Sequence, residues 1–170
     1  MALIAAAVIT VDQITKLWAL QTLVGQPSIE VIGEWLKFTF ARNPGGAFSI
    51  GTQFTWLFTF VALGVVLAIL FFSRRVTSTW WLIALGVLMG GALGNLIDRM
   101  LQPPGIGVGH VVDFIQLPNW PIFNIADMAV VGSSCAIVVL SLLGVEPSPP
   151  PDSAAEASEP SSDDEVAVKP

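Results

Sequence analysis

Three long stretches of the chain contain no charged residue. Residues 54–72 form one such stretch of nineteen positions, and residues 80–97 and 128–145 form two more of eighteen positions each. An apolar helix of about 20 residues spans the roughly 30 Å hydrocarbon core of a bilayer. The pattern of hydrophobic positions therefore predicts three transmembrane helices.

Residues 1–23 predict a fourth transmembrane helix. The segment is apolar except for Asp12 and Lys16, which lie four residues apart. We interpret these two as a helical ion pair worth about 0.3 kcal/mol. A cleaved signal peptide is the alternative, but the segment lacks a basic start and a small-residue cleavage site. We therefore expect a retained span and both chain ends on one side of the membrane; the distribution of Lys and Arg leaves open which side.

Two of the connecting segments carry strand patterns. Apolar and other side chains alternate along residues 36–42, and residues 106–117 are rich in β-branched side chains around Asp113. A strand edge cannot stay unpaired in lipid, so these strands should form a small sheet at one membrane face. The sequence thus predicts an all-α integral membrane protein with four transmembrane helices and a small sheet.

The third span carries glycines at a spacing of four, Gly86, Gly90 and Gly94, with Gly91 beside them. Small residues on one helix face allow another helix to approach closely. We interpret these glycines as packing positions rather than as part of a catalytic site.

Charge is concentrated at the end of the chain. The 170 residues carry a formal net charge of −6, and 54% of them are hydrophobic. From Glu146 onward there are seven acidic residues and one basic residue, so residues 1–145 are neutral. We predict a membrane domain over residues 1–145 and a disordered, acidic, Pro- and Ser-rich tail over residues 146–170. Neither part has the basic patch that nucleic-acid binding requires.

Asp113 and Asp127 are the strongest candidates for chemistry, and they flank one short loop, residues 114–126. A loop of that length can return to its start and bring the two carboxyl groups together. Such a pair does not ionise fully, so it supplies an acid and a base for amide hydrolysis. A transporter or proton relay stays open on the chemistry alone. His110 is the only histidine, which excludes a multi-histidine metal site.

The spacing N-x-x-D occurs twice, as Asn95 with Asp98 at the end of the third span and as Asn124 with Asp127 at the start of the fourth. Asn124 is suited to cap the fourth helix, with Asp127 near its positive end. This capping role explains an acid at the helix start, but it does not explain Asp113 within an apolar strand.

Four sequence blocks, in order along residues 1–143, resemble those of the lipoprotein signal peptidases, the type II signal peptidases of bacteria. The blocks are VDQITK (11–16), RNPGGAFS (42–49), GGALGNLIDR (90–99) with VVDF (111–114), and FNIAD (123–127). The resemblance implies a membrane aspartic endopeptidase that cuts diacylglyceryl-modified prolipoproteins on the amino side of the lipidated cysteine. It also implies the bacterial cytoplasmic (inner) membrane, cytoplasmic termini, an active site at the outer leaflet, and a sheet that forms an extracytoplasmic β-cradle.

The resemblance assigns the catalytic role to Asp113 and Asp127. Other polar residues of the matching blocks are implied to shape the site or hold the substrate: Asp12, Asn43, Asn95, Asp98, Arg99 and Asn124. We expect no cofactor and no metal, and we expect a monomer whose partners are prolipoprotein substrates and membrane lipid. A small transporter and a non-catalytic assembly factor are the alternative classes.

A lipid-soluble substrate requires an apolar groove with a few convergent polar groups. Trp35, Phe48 and Trp120 lie near the motifs and are candidates to line it. Anchoring at the membrane interface is the simpler role for such aromatic residues, and we favour it.

Overall fold

The computed structural model of the chain describes residues 1–45 and 54–148, and four long helices account for most of this part. The helices are α1 Ala2–Thr22, α2 Thr55–Ser73, α3 Thr79–Leu101 and α4 Ile125–Leu142. Each is long and apolar enough to cross a membrane, which confirms the four predicted spans. α4 begins earlier than the charge-free stretch because Asn124 caps it.

α3 is the central helix of the bundle. It is the most buried of the four and packs against α1, α2 and α4. The other helices expose apolar side chains on their outer faces, for example Leu67 of α2 and Val131 of α4. Such faces are suited to contact with lipid rather than with water.

The glycines of α3 are packing positions, as predicted. A Cβ atom at Gly90 would lie 2.7 Å from Val8 Cβ of α1, and one at Gly91 would lie 2.6 Å from a carbonyl oxygen in the first turn of α4. At Gly94 the Cβ would lie 2.7 Å from a carboxylate oxygen of Asp12. The missing side chains therefore let α1 and α4 approach α3 closely.

Three short strands form an antiparallel sheet in the order β1-β2-β3. They are β1 Ile29–Ile32, β2 Leu36–Asn43 and β3 Val111–Gln116. β2 and β3 confirm the two predicted strand segments. β1 is not among the predicted segments; it has only four residues, all of them exposed, and it pairs with β2.

The apolar face of β3 fixes the strand against α1. Val112 and Phe114 are buried and pack with Ala19 of α1 and with Leu23, the residue that follows α1. Successive side chains of a strand point to opposite faces, so Asp113 points away from this cluster. Its carboxyl group instead contacts the start of α4.

The described chain continues past α4 to Ser148. The Trp81 Nε1–H donates to the carbonyl oxygen of Val145 at 2.7 Å, and two backbone N–H groups of the α2–α3 connection donate to the carbonyl oxygen of Pro147 at 3.0 Å. These bonds hold the first residues after α4 against that connection. Residues 149–170 lie outside the described residues, and the division into membrane domain and disordered tail stays a prediction.

Gly91→Ala should destabilise the helical bundle. The new methyl group would overlap the carbonyl oxygen of Ala126 and the side chain of Val130, so α3 and α4 must move apart. We expect a loss of about 1–3 kcal/mol in the free energy of unfolding, measured by denaturant titration in detergent micelles. Gly132→Ala is the control, because a Cβ there meets nothing within 4 Å. Equal stability of the two variants would contradict the packing role.

Candidate active site

Asp113 and Asp127 come from different elements and share one asparagine as a partner. Asp113 lies within β3, and Asp127 lies in the first turn of α4. The side-chain amide of Asn124 donates to Asp113 Oδ1 at 2.6 Å, and its backbone N–H donates to Asp127 Oδ2 at 3.2 Å. The loop between the two aspartates thus returns to its start, as the sequence predicts.

A capping box fixes the start of α4. Asn124 Oδ1 accepts a hydrogen bond from the backbone N–H of Asp127 at 2.9 Å, while Asp127 Oδ2 accepts one from the backbone N–H of Asn124. The prediction that Asn124 is the N-cap is confirmed. The N-terminal end of a helix carries partial positive charge, which stabilises a carboxylate at this position.

Amide groups hold the remaining carboxyl oxygens of the pair. Asn43, at the end of β2, donates to Asp113 Oδ2 at 3.0 Å, and Asn95 of α3 donates to Asp127 Oδ1 at 2.8 Å. Each of the four oxygens therefore accepts a hydrogen bond, which restricts the rotation of both carboxyl groups. The three asparagines among the predicted site residues, Asn124 included, all lie at the pair.

A buried ammonium group links this cluster to α1. Lys16 Nζ lies 2.9 Å from Asp12 Oδ2 and 2.9 Å from Asp98 Oδ2, and it donates to Asn95 Oδ1 at 3.0 Å. The side chain of Lys16 is only 2% exposed, so an ordinary helical ion pair is an incomplete interpretation. The sequence reasoning omits Lys16 from the site, although a lysine within an apolar span is a signal of this kind.

Asp12 and Asp98 hold the backbone beside the pair. Asp12 Oδ1 accepts from the backbone N–H of Ala126 at 2.9 Å, and Asp98 Oδ2 accepts from the backbone N–H of Val112 at 3.0 Å. Ala126 and Val112 are the residues that directly precede the two candidate catalytic aspartates. Gln13 Nε2 joins the two carboxylates, at 3.1 Å from Asp12 and 3.2 Å from Asp98.

Arg99 is buried near the pair and bonds to the backbone around it. Its guanidinium donates to the carbonyl oxygens of Gly45 at 2.8 Å and Gly109 at 3.4 Å, and it lies 5.3 Å from the centre of the Phe58 ring. These contacts tie the segment after β2 and the segment before β3 to α3. Arg99 thus anchors the backbone on both sides of the site.

The pKa of Asp113 is raised to about 7, chiefly because burial disfavours its charged form and secondly because the charge of Asp127 is near. Hydrogen bonds from Asn43 and Asn124 and the charge of Lys16 act in the opposite direction. Asp113 therefore keeps a proton at pH values where an ordinary aspartate has lost it.

An apolar cavity of 420 Å³ leads to the pair from within the helical bundle. Asp113 and Asp127 both line this cavity, which we call the helix-side cavity. Its walls are apolar side chains of three helices: Val61 and Val65 of α2, Leu88 and Ala92 of α3, and Val130 and Val131 of α4. A lipid-soluble molecule in the cavity can thus approach both carboxyl groups.

The three candidate aromatic residues have different positions. Trp120 lines the helix-side cavity. For this residue, lining of a groove therefore describes the position better than the anchoring at the membrane interface that we favoured. Trp35 is 74% exposed and follows β1, and it is not among the residues that line the cavity. Phe48 and the rest of residues 46–49 lie outside the described residues.

The part of the chain that the structure describes contains no candidate metal site. Within residues 1–45 and 54–148, no cluster of three or more His, Cys, Asp or Glu side chains is arranged to hold a metal ion. The site there is built from carboxyl groups, amides, one ammonium and one guanidinium.

The four apolar helices and the small sheet define the fold class of an integral membrane protein, and solved structures of bacterial membrane enzymes share this fold. One of them, determined by the in meso method at 2.3 Å resolution, is 30% identical, with a TM-score of 0.72 over 98% of this chain and 93% of that chain. Another, determined at 1.9 Å resolution, is 33% identical, with a TM-score of 0.72 over 85% of this chain and 92% of that chain.

The family can be named from sequence comparison. The model of the family described as signal peptidase (SPase) II matches residues 4–143. The lipoprotein signal peptidase of Mycobacterium tuberculosis is 46% identical over 144 residues, which cover 84% of this chain and 71% of the relative. That of Rhodococcus jostii is 44% identical over 144 residues, which cover 85% and 73%. The chain belongs to the signal peptidase II family, which confirms the resemblance and makes it a protease of lipoprotein processing.

Lys16→Met should strongly destabilise the protein. Methionine has a similar volume but leaves the buried carboxylates of Asp12 and Asp98 without their cation, at a cost of about 3–5 kcal/mol in the free energy of unfolding. Lys37→Met is the matched control, because Lys37 pairs with the exposed Glu30 at 3.1 Å. An exposed pair contributes less than about 1 kcal/mol. Comparable losses for the two variants, measured by unfolding in detergent micelles, would contradict the linking role of Lys16.

Proposed function

We propose that this chain removes signal peptides from prolipoproteins by hydrolysing the peptide bond on the amino side of the diacylglyceryl-modified cysteine. In this proposal a water molecule is activated between Asp113 and Asp127. The observation that carries the proposal is that Asn124 bridges these two carboxyl groups beside an apolar cavity. Membership in the signal peptidase II family supports prolipoproteins as the substrates.

The two aspartates differ in their surroundings, and the difference supports separate roles. Asp113 is 2% exposed, and its pKa of about 7 keeps a proton on it below that pH. Asp127 lies at a helix N-terminus, whose partial positive charge stabilises a carboxylate. We therefore assign Asp113 the role of the acid and Asp127 the role of the base.

These roles give a complete hydrolytic cycle. The carboxylate of Asp127 removes a proton from water as the water oxygen attacks the carbonyl carbon, and Asp113 donates its proton to the carbonyl oxygen. A neutral gem-diol forms, which then returns a hydroxyl proton to Asp113. The proton on Asp127 passes to the cysteine nitrogen as the carbon–nitrogen bond breaks, so both aspartates regain their starting states.

The other predicted site residues receive positioning roles in two groups. Three asparagines orient the carboxyl oxygens, and three charged residues hold the backbone around the pair. The first group is Asn43, Asn95 and Asn124, and the second is Asp12, Asp98 and Arg99. Lys16 joins the second group, because it neutralises two of its members.

The helix-side cavity is suited to the apolar parts of such a substrate. A signal peptide and two acyl chains are soluble in lipid, and the walls of the cavity are apolar side chains of α2, α3 and α4. These parts can stay in apolar surroundings while the scissile bond meets a few polar groups. Hydrolysis then requires no transfer of the lipidated segment into water.

We also propose that the chain lies in the bacterial inner membrane, with cytoplasmic termini and the site at the outer leaflet. The described chain has four spans, so the start of α1 and the end of α4 share one side. The end of α3, the start of α4 and the sheet between them in the chain belong to the opposite side. The sheet is then an extracytoplasmic cradle, and the protein acts as a monomer.

Asp113→Asn and Asp127→Asn should each abolish cleavage. Each change removes one proton-transfer group, and such groups contribute about 10²–10⁴-fold to the rate. The assay incubates purified protein with diacylglyceryl-modified and unmodified prolipoprotein and detects loss of the signal peptide by mass spectrometry. Glu34→Gln removes an exposed carboxyl group and should keep full activity.

Retained cleavage by either aspartate variant, after normal membrane insertion, would exclude the pair as the catalytic machinery. Proton flux in liposomes without substrate would favour the transporter instead. An assembly factor would give no cleavage by the purified protein alone.

The value of kcat/KM should fall as the pH rises through about 7. Above that pH, Asp113 loses the proton that it donates to the carbonyl oxygen, because its pKa is raised to about 7. Asn43→Val should move this decline to higher pH, since the hydrogen bond from Asn43 lowers the pKa of Asp113. Both effects are measured as pH–rate profiles with a lipid-modified substrate. A profile that stays flat through this range would rule out Asp113 as the acid.

A further inference from the structure

A second cavity adjoins the helix-side cavity at Asp113. It has a volume of 440 Å³ and is lined by the end of β2, by Asp113 and by residues 119–122. We call it the sheet-side cavity. Asn43, Asp113 and residues 120–122 line both cavities, so the two meet at the proposed catalytic acid.

The two cavities differ in the elements that line them. Side chains of α2, α3 and α4 line the helix-side cavity, whereas no residue of the four helices is part of the lining of the sheet-side cavity. A peptide that crosses Asp113 therefore passes from a compartment with mostly apolar walls to one with a mixed lining, in which Arg42, Asn43 and Asn119 supply polar groups. The signal peptide and the acyl chains are suited to the apolar side, which leaves the sheet-side cavity for the chain that follows the cysteine.

Arg42 gives the sheet-side cavity a positive charge. Its guanidinium donates to Gln102 Oε1 at 3.3 Å and lies 5.5 Å from the centre of the Phe40 ring, and neither contact neutralises it. Among residues 1–45 and 54–148, no carboxylate forms an ion pair with Arg42. Asp113, the other ionisable group of the lining, is protonated in the proposed reacting state. The charge of Arg42 is thus available to a ligand.

We propose that the sheet-side cavity binds the residues that follow the lipidated cysteine, and that Arg42 makes it favour acidic over basic side chains there. This inference rests on the proposed function, because it assumes cleavage immediately before that cysteine. An acidic side chain would pair with the guanidinium, whereas a basic one would meet a like charge. Arg42 takes no part in the proton transfers and acts only on substrate selection.

The test compares three lipid-modified substrates that carry Asp, Asn or Lys at the two positions after the cysteine. Because exposed ion pairs are weak, the wild-type protein should prefer the Asp substrate over the Lys substrate by about fivefold in kcat/KM. Arg42→Gln should remove this preference, and Arg42→Glu should invert it. The ratio of the two substrates within one variant cancels any general change in activity or folding.

Lys37→Gln is the matched control. Lys37 lies on the same strand, but it lines a different cavity and pairs with Glu30 at 3.1 Å, so its removal should leave the ratio unchanged. Absence of a preference in the wild-type protein, or a ratio that Arg42→Glu does not alter, would overturn the inference. Cleavage of the Asn substrate would then still support the proposed function. Failure of the wild-type protein to cleave any of the three substrates would overturn the proposed function itself.

Discussion

The ammonium group of Lys16 is 2% exposed and must find its counter-charges inside the protein. It finds them in Asp12 and Asp98, each at 2.9 Å. A carboxylate has more lone pairs than one ammonium can occupy, and buried lone pairs need further donors. The backbone N–H groups of Ala126 and Val112 serve as those donors. The two carboxylates that neutralise Lys16 thus also hold the first turn of α4 and the strand β3. These two elements carry the candidate catalytic aspartates.

Features with a local signal can be predicted from the sequence. The length of the charge-free run at residues 54–72 is enough to indicate a transmembrane helix. The capping role of Asn124 depends only on the turn that follows it in the chain. The alternation over residues 36–42 likewise belongs to one strand. β1 is different, because its four exposed residues have no face buried against a core and are a strand only through pairing with β2. Its existence therefore depends on tertiary structure.

The site is predictable as a set of residues but not as an arrangement. The motifs identify Asn95 as a site residue. They do not predict that its side-chain oxygen accepts from Lys16 while its side-chain nitrogen donates to Asp127. That orientation depends on a contact between residues 79 positions apart, which exists because α1 packs closely on α3. Gly94 permits this approach, since any side chain there would meet the carboxylate of Asp12. A glycine assigned to packing alone is therefore also a condition for the arrangement of the candidate site.

The shared anchoring of β3 and α4 has a mechanical consequence. Transmembrane helices change their tilt when the thickness of the bilayer changes. Asp12 and Asp98 hold the segments of both candidate catalytic aspartates, and both are bound to the same ammonium on α1. Asp12 belongs to α1 and Asp98 to α3, so a shift of either helix against the other strains the contacts of this ammonium and, through them, the backbone before both aspartates. The geometry of the candidate pair therefore depends on how closely α1 packs on α3.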